Sequence, residues 1–124
     1  VSTVTLFRPV GDTELALIAD SDWRAFPPRL PEQPIFYPVM NADYAEQIAR
    51  DWNSKHEPSG VGYVLAFDLS EDVTNRWPVQ IAGGRVHEEL WVPAEELGAF
   101  NEMIVGPIRR IATYRDGVRV EEAQ

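Results

Sequence analysis

The chain has 124 residues, the size of one domain, and no cysteine, which excludes a disulfide framework, a thiol nucleophile and a thiolate metal site. Twenty acidic side chains against eleven basic ones give a formal charge of -9, a field that repels nucleic acid and anionic lipid. No apolar run approaches the roughly 18 residues of a membrane helix and no charged-then-apolar leader opens the sequence, so a cytoplasmic protein without nucleic-acid or membrane partners is expected.

Thr3 to Pro9 is rich in strand formers and ends at a Pro-Val-Gly break, which predicts a first strand. Asp12 or Thr13 can cap a short helix on which Leu15, Ile18 and Ala19 recur at helical spacing. Five prolines between Pro27 and Pro38 then exclude helix and central strand, because each removes a backbone donor and fixes φ. This predicts a stiff, extended loop carrying Arg24 and Arg29, pinned by Trp23 and Phe26. Ile35 to Val39 reads as a short strand, with Pro38 marking an edge or a bulge.

Asn41 is placed to cap a helix from Ala42 to Trp52, with Tyr44, Ala45, Ile48, Ala49 and Trp52 as its apolar stripe. Gly62 to Leu69 alternates and is expected as a strand, followed by a helical turn within Glu71 to Trp77. Pro78 to Ala82 and Val86 to Val92 read as strands around a Gly83-Gly84 turn. A helix begins at Pro93 and faces Ala94, Leu97 and Phe100 inward, and a last strand spans Ile104 to Tyr114. The expected architecture is one α+β domain over residues 1–115, with about six strands and three short helices, and a frayed tail over 116–124.

Among residues that carry chemistry, His56 and His87 lie 31 positions apart, and neighbours in His87-Glu88-Glu89 alternate across a strand, so no metal site is expected. No serine sits in a G-x-S-x-G elbow, and Gly83-Gly84 lacks the context of a phosphate-binding loop. Period-two alternation places His87, Glu89 and Trp91 on one strand face. That face either meets solvent or forms a cleft wall with a carboxylate between an imidazole and an indole. Arg8 closes an apolar strand and either pairs with a surface acid or, with Arg24 and Arg29 on the stiff loop, forms an anion clamp that loses little entropy on binding.

The runs Leu6-Phe7-Arg8-Pro9-Val10-Gly11, Ala25-Phe26-Pro27-Pro28-Arg29-Leu30-Pro31 and Phe36-Tyr37-Pro38-Val39 resemble a signature of a small bacterial family labelled ADP-ribosylation/crystallin. Ile48-Ala49-Arg50-Asp51-Trp52-Asn53, Glu89-Leu90-Trp91-Val92-Pro93 and Ile104-Val105-Gly106-Pro107-Ile108 extend the resemblance to nearly the whole chain. The crystallin half of the label refers to larger, all-helical glycohydrolases with Asp-bound magnesium, which this short, strand-rich chain does not match. The resemblance therefore implies an ADP-ribosyltransferase-like fold: an early-strand Arg (Arg8), an aromatic strand before a helix (Tyr37) and a late-strand Glu (Glu89). It further implies NAD+ as substrate, with no metal. Glu89 would be the catalytic carboxylate, Arg8, Arg24 and Arg29 would hold the pyrophosphate, and Tyr37 or Trp91 would stack on nicotinamide.

Two departures stand out. No Ser-Thr-Ser run follows Tyr37, and His87 stands where an E-x-E motif has its first acid. The second counts against transfer to arginine and leaves NAD+ hydrolysis or another acceptor open. The alternative reading is a non-catalytic nucleotide- or protein-binding module, including an accessory or immunity-type partner protein.

Overall fold

The computed structural model describes residues 2–81 and 87–120. The expected Gly83-Gly84 turn and the tail from residue 121 lie outside them. The described residues form a small α+β domain in which most of the eight strands are short. The long strands β1 (Thr3–Val10), β3 (Val61–Ser70) and β7 (Ile104–Arg115) lie antiparallel in the order β1-β3-β7, and β8 (Val118–Arg119) closes one edge. Residues 116–120, which the sequence assigned to the tail, make this β7–β8 hairpin. Asp116 and Gly117 both take positive φ (49° and 85°), the two-residue turn that Asp-Gly favours.

On the other side of β1, Val39 bridges both Phe7 and Glu89. This links β1 to the short pairs β2 (Ile35–Phe36) with β6 (Val92–Pro93) and β4 (Val79–Ile81) with β5 (Glu88–Leu90).

One face of the sheet carries an aromatic core. Phe26, Phe36, Phe67, Phe100 and Trp77 meet with ring centroids 4.8 to 6.1 Å apart, joined by Leu6, Leu65, Leu69 and Leu90. Helix α1 (Asp12–Asp20) supplies Ile18 to it, and α4 (Val73–Arg76) and α5 (Leu97–Glu102) cover its far end. The N-cap of α1 is Gly11 and makes no side-chain cap; Asp12 lies inside the first turn and accepts from the Tyr63 hydroxyl at 2.8 Å. The proline-rich loop is pinned as expected: Phe26 is buried, and its N–H and C=O both bond the Asn101 side chain, at 2.9 and 3.0 Å.

The opposite face is lined with small residues. A helical run over 42–56 packs Ala45 and Ala49 against Val64, Ala112 and Tyr114. It starts as α2 (Ala42–Ile48), capped by Asn41, widens to a π turn over Ala49–Asn53 and ends as α3 (Ser54–His56). The buried positions are 45, 49 and 54, so the inward spacing lengthens from four residues to five at the π turn. Trp52, expected on the apolar stripe, is therefore 60 % exposed and stacks on His56 at 3.9 Å, while Ser54 takes the inward place. Close approach here requires Gly62: a Cβ on it would stand 2.7 Å from both the Ala49 carbonyl oxygen and Asn53 Cβ.

No helix among the described residues is long and apolar enough to cross a membrane.

Candidate functional site

Phe7 and Val39 exchange both backbone bonds, at 2.9 and 2.8 Å. In an antiparallel ladder the next such pair would set Pro9 against Tyr37, and Pro9 has no N–H to give. The ladder ends there, the two segments part, and a groove opens between them. Arg8 Nη1 donates instead to the Tyr37 carbonyl, at 3.3 Å.

The wall beyond the split is one continuous register of residues 35–40 against 88–93. Ile35 faces Pro93, Phe36 faces Val92 and Val39 faces Glu89, with backbone bonds from Met40 to Glu88 and from Leu90 to Pro38, both 2.9 Å. Tyr37 thus stands opposite Trp91. Strand alternation puts Phe36, Leu90 and Val92 in the core and gives Tyr37, Val39, Glu89 and Trp91 a common face that lines the groove. Of the cleft wall expected from His87, Glu89 and Trp91, Glu89 and Trp91 line the groove, while His87 stacks on Tyr44.

Glu89 is 8 % exposed. Its Oε2 accepts from the Tyr44 hydroxyl at 3.2 Å and its Oε1 from Trp91 Nε1 at 2.9 Å. Tyr44 reaches it from the first turn of α2, where its N–H bonds the Asn41 cap at 2.7 Å, and its ring stacks on His87. Burial, and then the charge of Glu89, push the Tyr44 hydroxyl above the usual tyrosine range. Tyr37 and Trp91 remain nearly half exposed at the mouth.

At the floor of the split, Arg8 lies over the Phe36 ring, 4.4 Å from its centroid, and forks onto Glu14 of α1 at 2.5 and 3.0 Å. Arg29, brought in by the proline-rich loop, lies over the same ring at 5.7 Å and sees Glu14 only at 3.8 Å. Its side chain is 10 % exposed and its Nε is buried without a partner. Burial, and then repulsion from Arg8, lower the Arg29 pKa, with Glu14 opposing in part. The two guanidinium groups share one carboxylate here, and Glu57 and Glu89 line the groove to either side.

The groove has two arms that meet at Arg8, Pro9, Arg29 and Asn53. One, of about 430 Å³, carries Tyr37, Glu89 and Trp91. The other, of about 360 Å³, runs between Gly11–Glu14 and the Pro27–Leu30 segment. Of the expected binding residues, Arg8, Arg29, Tyr37, Glu89 and Trp91 come together. Arg24 does not: Asp22 and Trp23 take left-handed backbone at φ 66° and 61°, and Arg24 lines a separate open depression with Pro107 and Arg110.

Glu14 and Asn53 line the groove, Tyr44 holds Glu89 from behind it, and all three escaped the sequence reading. Glu14 had a usable signal, an acid six residues after Arg8 in the first turn of a predicted helix. Among the described residues, no three His, Asp or Glu are placed to share a metal ion. Comparisons with protein-family models, curated proteins and solved structures found no match.

Proposed function

We propose that this groove binds an NAD+-type dinucleotide or an ADP-ribosyl group, and that Glu89 acts on the ribose at the nicotinamide bond. The observation that carries this reading is one groove holding a recessed carboxylate, Glu89, and a buried arginine pair, Arg8 and Arg29. The order of Arg8 on the first strand, Tyr37 ahead of a helix and Glu89 on a late strand is also that of an ADP-ribosyltransferase-like fold, which supports the same reading.

In this mechanism the arginines hold the pyrophosphate through charge-assisted bonds. Tyr37 and Trp91, facing each other at the mouth, flank the nicotinamide ring. As the glycosidic bond stretches, nicotinamide leaves with the bonding pair and positive charge develops on the ribose. Glu89 accepts from the ribose 2′-hydroxyl and stabilises that charge; Tyr44 and Trp91 fix the carboxylate beforehand, so little reorganisation remains for the transition state. Water or an acceptor then bonds to the exposed ribose carbon and releases its proton to solvent.

Proton NMR of NAD+ with the protein tests this. Free nicotinamide should accumulate with the native chain, and Glu89→Gln should slow its release by about 10²–10³-fold. A second reading, nucleotide binding without turnover, is favoured by one observation: both Glu89 oxygens already accept a protein hydrogen bond. It is the outcome if saturation transfer shows bound NAD+ and no nicotinamide appears. Neither signal at millimolar NAD+ sinks both.

A further inference from the structure

The charges where the two arms join do not favour an anion as they stand. Arg8 and Arg29 share the groove with three carboxylates, Glu14, Glu57 and Glu89. Glu14 is the one that holds the arginines. It forks onto Arg8 Nε and Nη2 at 2.5 and 3.0 Å and stands 3.8 Å from Arg29 Nη1. With Nη1 given to the Tyr37 carbonyl, every nitrogen of Arg8 already has an acceptor. A diphosphate that is to take the bidentate edge of Arg8 must take it from Glu14.

Neither arginine needs Glu14 to stay in place. The Phe36 ring supports the Arg8 guanidinium from 4.4 Å, and the Tyr37 carbonyl anchors it at 3.3 Å. Arg29 lies over the same ring, on the loop whose Phe26 is tied at both backbone groups to Asn101. Glu14 itself can turn away at small cost. Its side chain is 20 % exposed, and it stands in the first turn of α1, three residues ahead of the nearly half-exposed Leu17. Turned outward, its carboxylate stays near the helix N-terminus, whose partial positive charge favours it.

We infer that Glu14 is a resident anion: the chain's own carboxylate occupies the arginine pair until an oxyanion that spans both guanidinium groups displaces it. Glu14 thereby sets the affinity that such a ligand must exceed to enter the groove. This deepens the dinucleotide reading as a control on the same site. It rests on that reading for the identity of the natural ligand, and the exchange itself is tested without NAD+.

The test is isothermal titration calorimetry of the full chain with inorganic pyrophosphate. Glu14→Gln should bind it at least about tenfold more tightly than the native chain, because apparent affinity is reduced by the fraction of molecules whose fork is taken. Without pyrophosphate the same variant should melt below the native protein, since two nearly buried cations lose their counter-ion, and pyrophosphate should restore the loss. Glu14→Asp keeps the charge but draws it back by one methylene, and should bind with intermediate affinity; its gain over native decides the matter if Glu14→Gln does not fold. A Glu14 that merely orients Arg8 gives the reverse order, with both variants weaker than native. That order, or equal affinity in all three, overturns the inference and leaves the dinucleotide reading standing. Absence of pyrophosphate binding in all three also overturns it, whatever happens to NAD+. Tighter binding by Glu14→Gln with no nicotinamide released from NAD+ upholds the exchange and removes only the catalytic reading.

Discussion

The two faces of the sheet solve different problems. The aromatic face fills a thick layer with Phe26, Phe36, Phe67, Phe100 and Trp77, and its polar contacts sit at the edges, as where Trp77 Nε1 donates to Glu96 and Tyr63 to Asp12. The other face is thin: alanines and Gly62 draw the helical run over 42–56 onto β3, and Tyr44 and Tyr114 take up the fringe, donating to the carboxylates of Glu89 and Glu46. The difference teaches that bulk and precision are separated here. The thick face supplies apolar burial; the thin face sets where Asn53 and Glu89 stand.

The largest effect should come from breaking the thick face away from the groove. Trp77→Ala removes a nearly fully buried ring and should cost about 3–5 kcal/mol in urea denaturation, with nucleotide affinity retained in the folded fraction. Gly62→Ala attacks the thin face, where the clash is with backbone and with Asn53. It should cost about 1–3 kcal/mol and, unlike Trp77→Ala, should also weaken AMP binding. Equal loss of affinity in both variants would erase the distinction between the faces.

The smallest effect concerns pH. Burial first, and the neighbouring carboxylate second, raise Tyr44, Tyr63 and Tyr114 above the usual value. A raised native value means the folded chain keeps protons that the unfolded chain has already lost. The resulting stability is full below the unfolded tyrosine value of about 10 and disappears as pH rises through the folded values. Melting temperature should therefore fall as pH rises beyond about 10, and Tyr63→Phe should fall less steeply than the native protein. An unchanged slope would show that its link to Asp12 does not distinguish folded from unfolded chain.

Much of the frame was legible in the sequence. Strand-forming residues ahead of a Pro-Val-Gly break located β1, alternation located β3, and the same period placed Glu89 and Trp91 on one face. The capping signal at Asn41 located α2. What escaped reading depends on the backbone or on distant pairing. A π turn leaves no mark in hydropathy, so Trp52 looked like the end of a stripe. The match of 35–40 to 88–93 is a long-range register, and Tyr37 facing Trp91 follows only from it. Arg24 and Arg29 look equivalent along the loop; two left-handed residues just ahead of Arg24 send it elsewhere. The Asp116-Gly117 pair was readable and marks the β7–β8 hairpin.

The groove owes its mouth to a single hydrogen that Pro9 does not possess. A cleft wedged open by a bulky side chain shuts when that side chain is trimmed. One opened by a missing donor keeps its gap through changes on either wall, and the walls are free to vary in what they recognise. Restoring that hydrogen, by placing any other residue at position 9, would invite the two segments to zip together across the ligand's path.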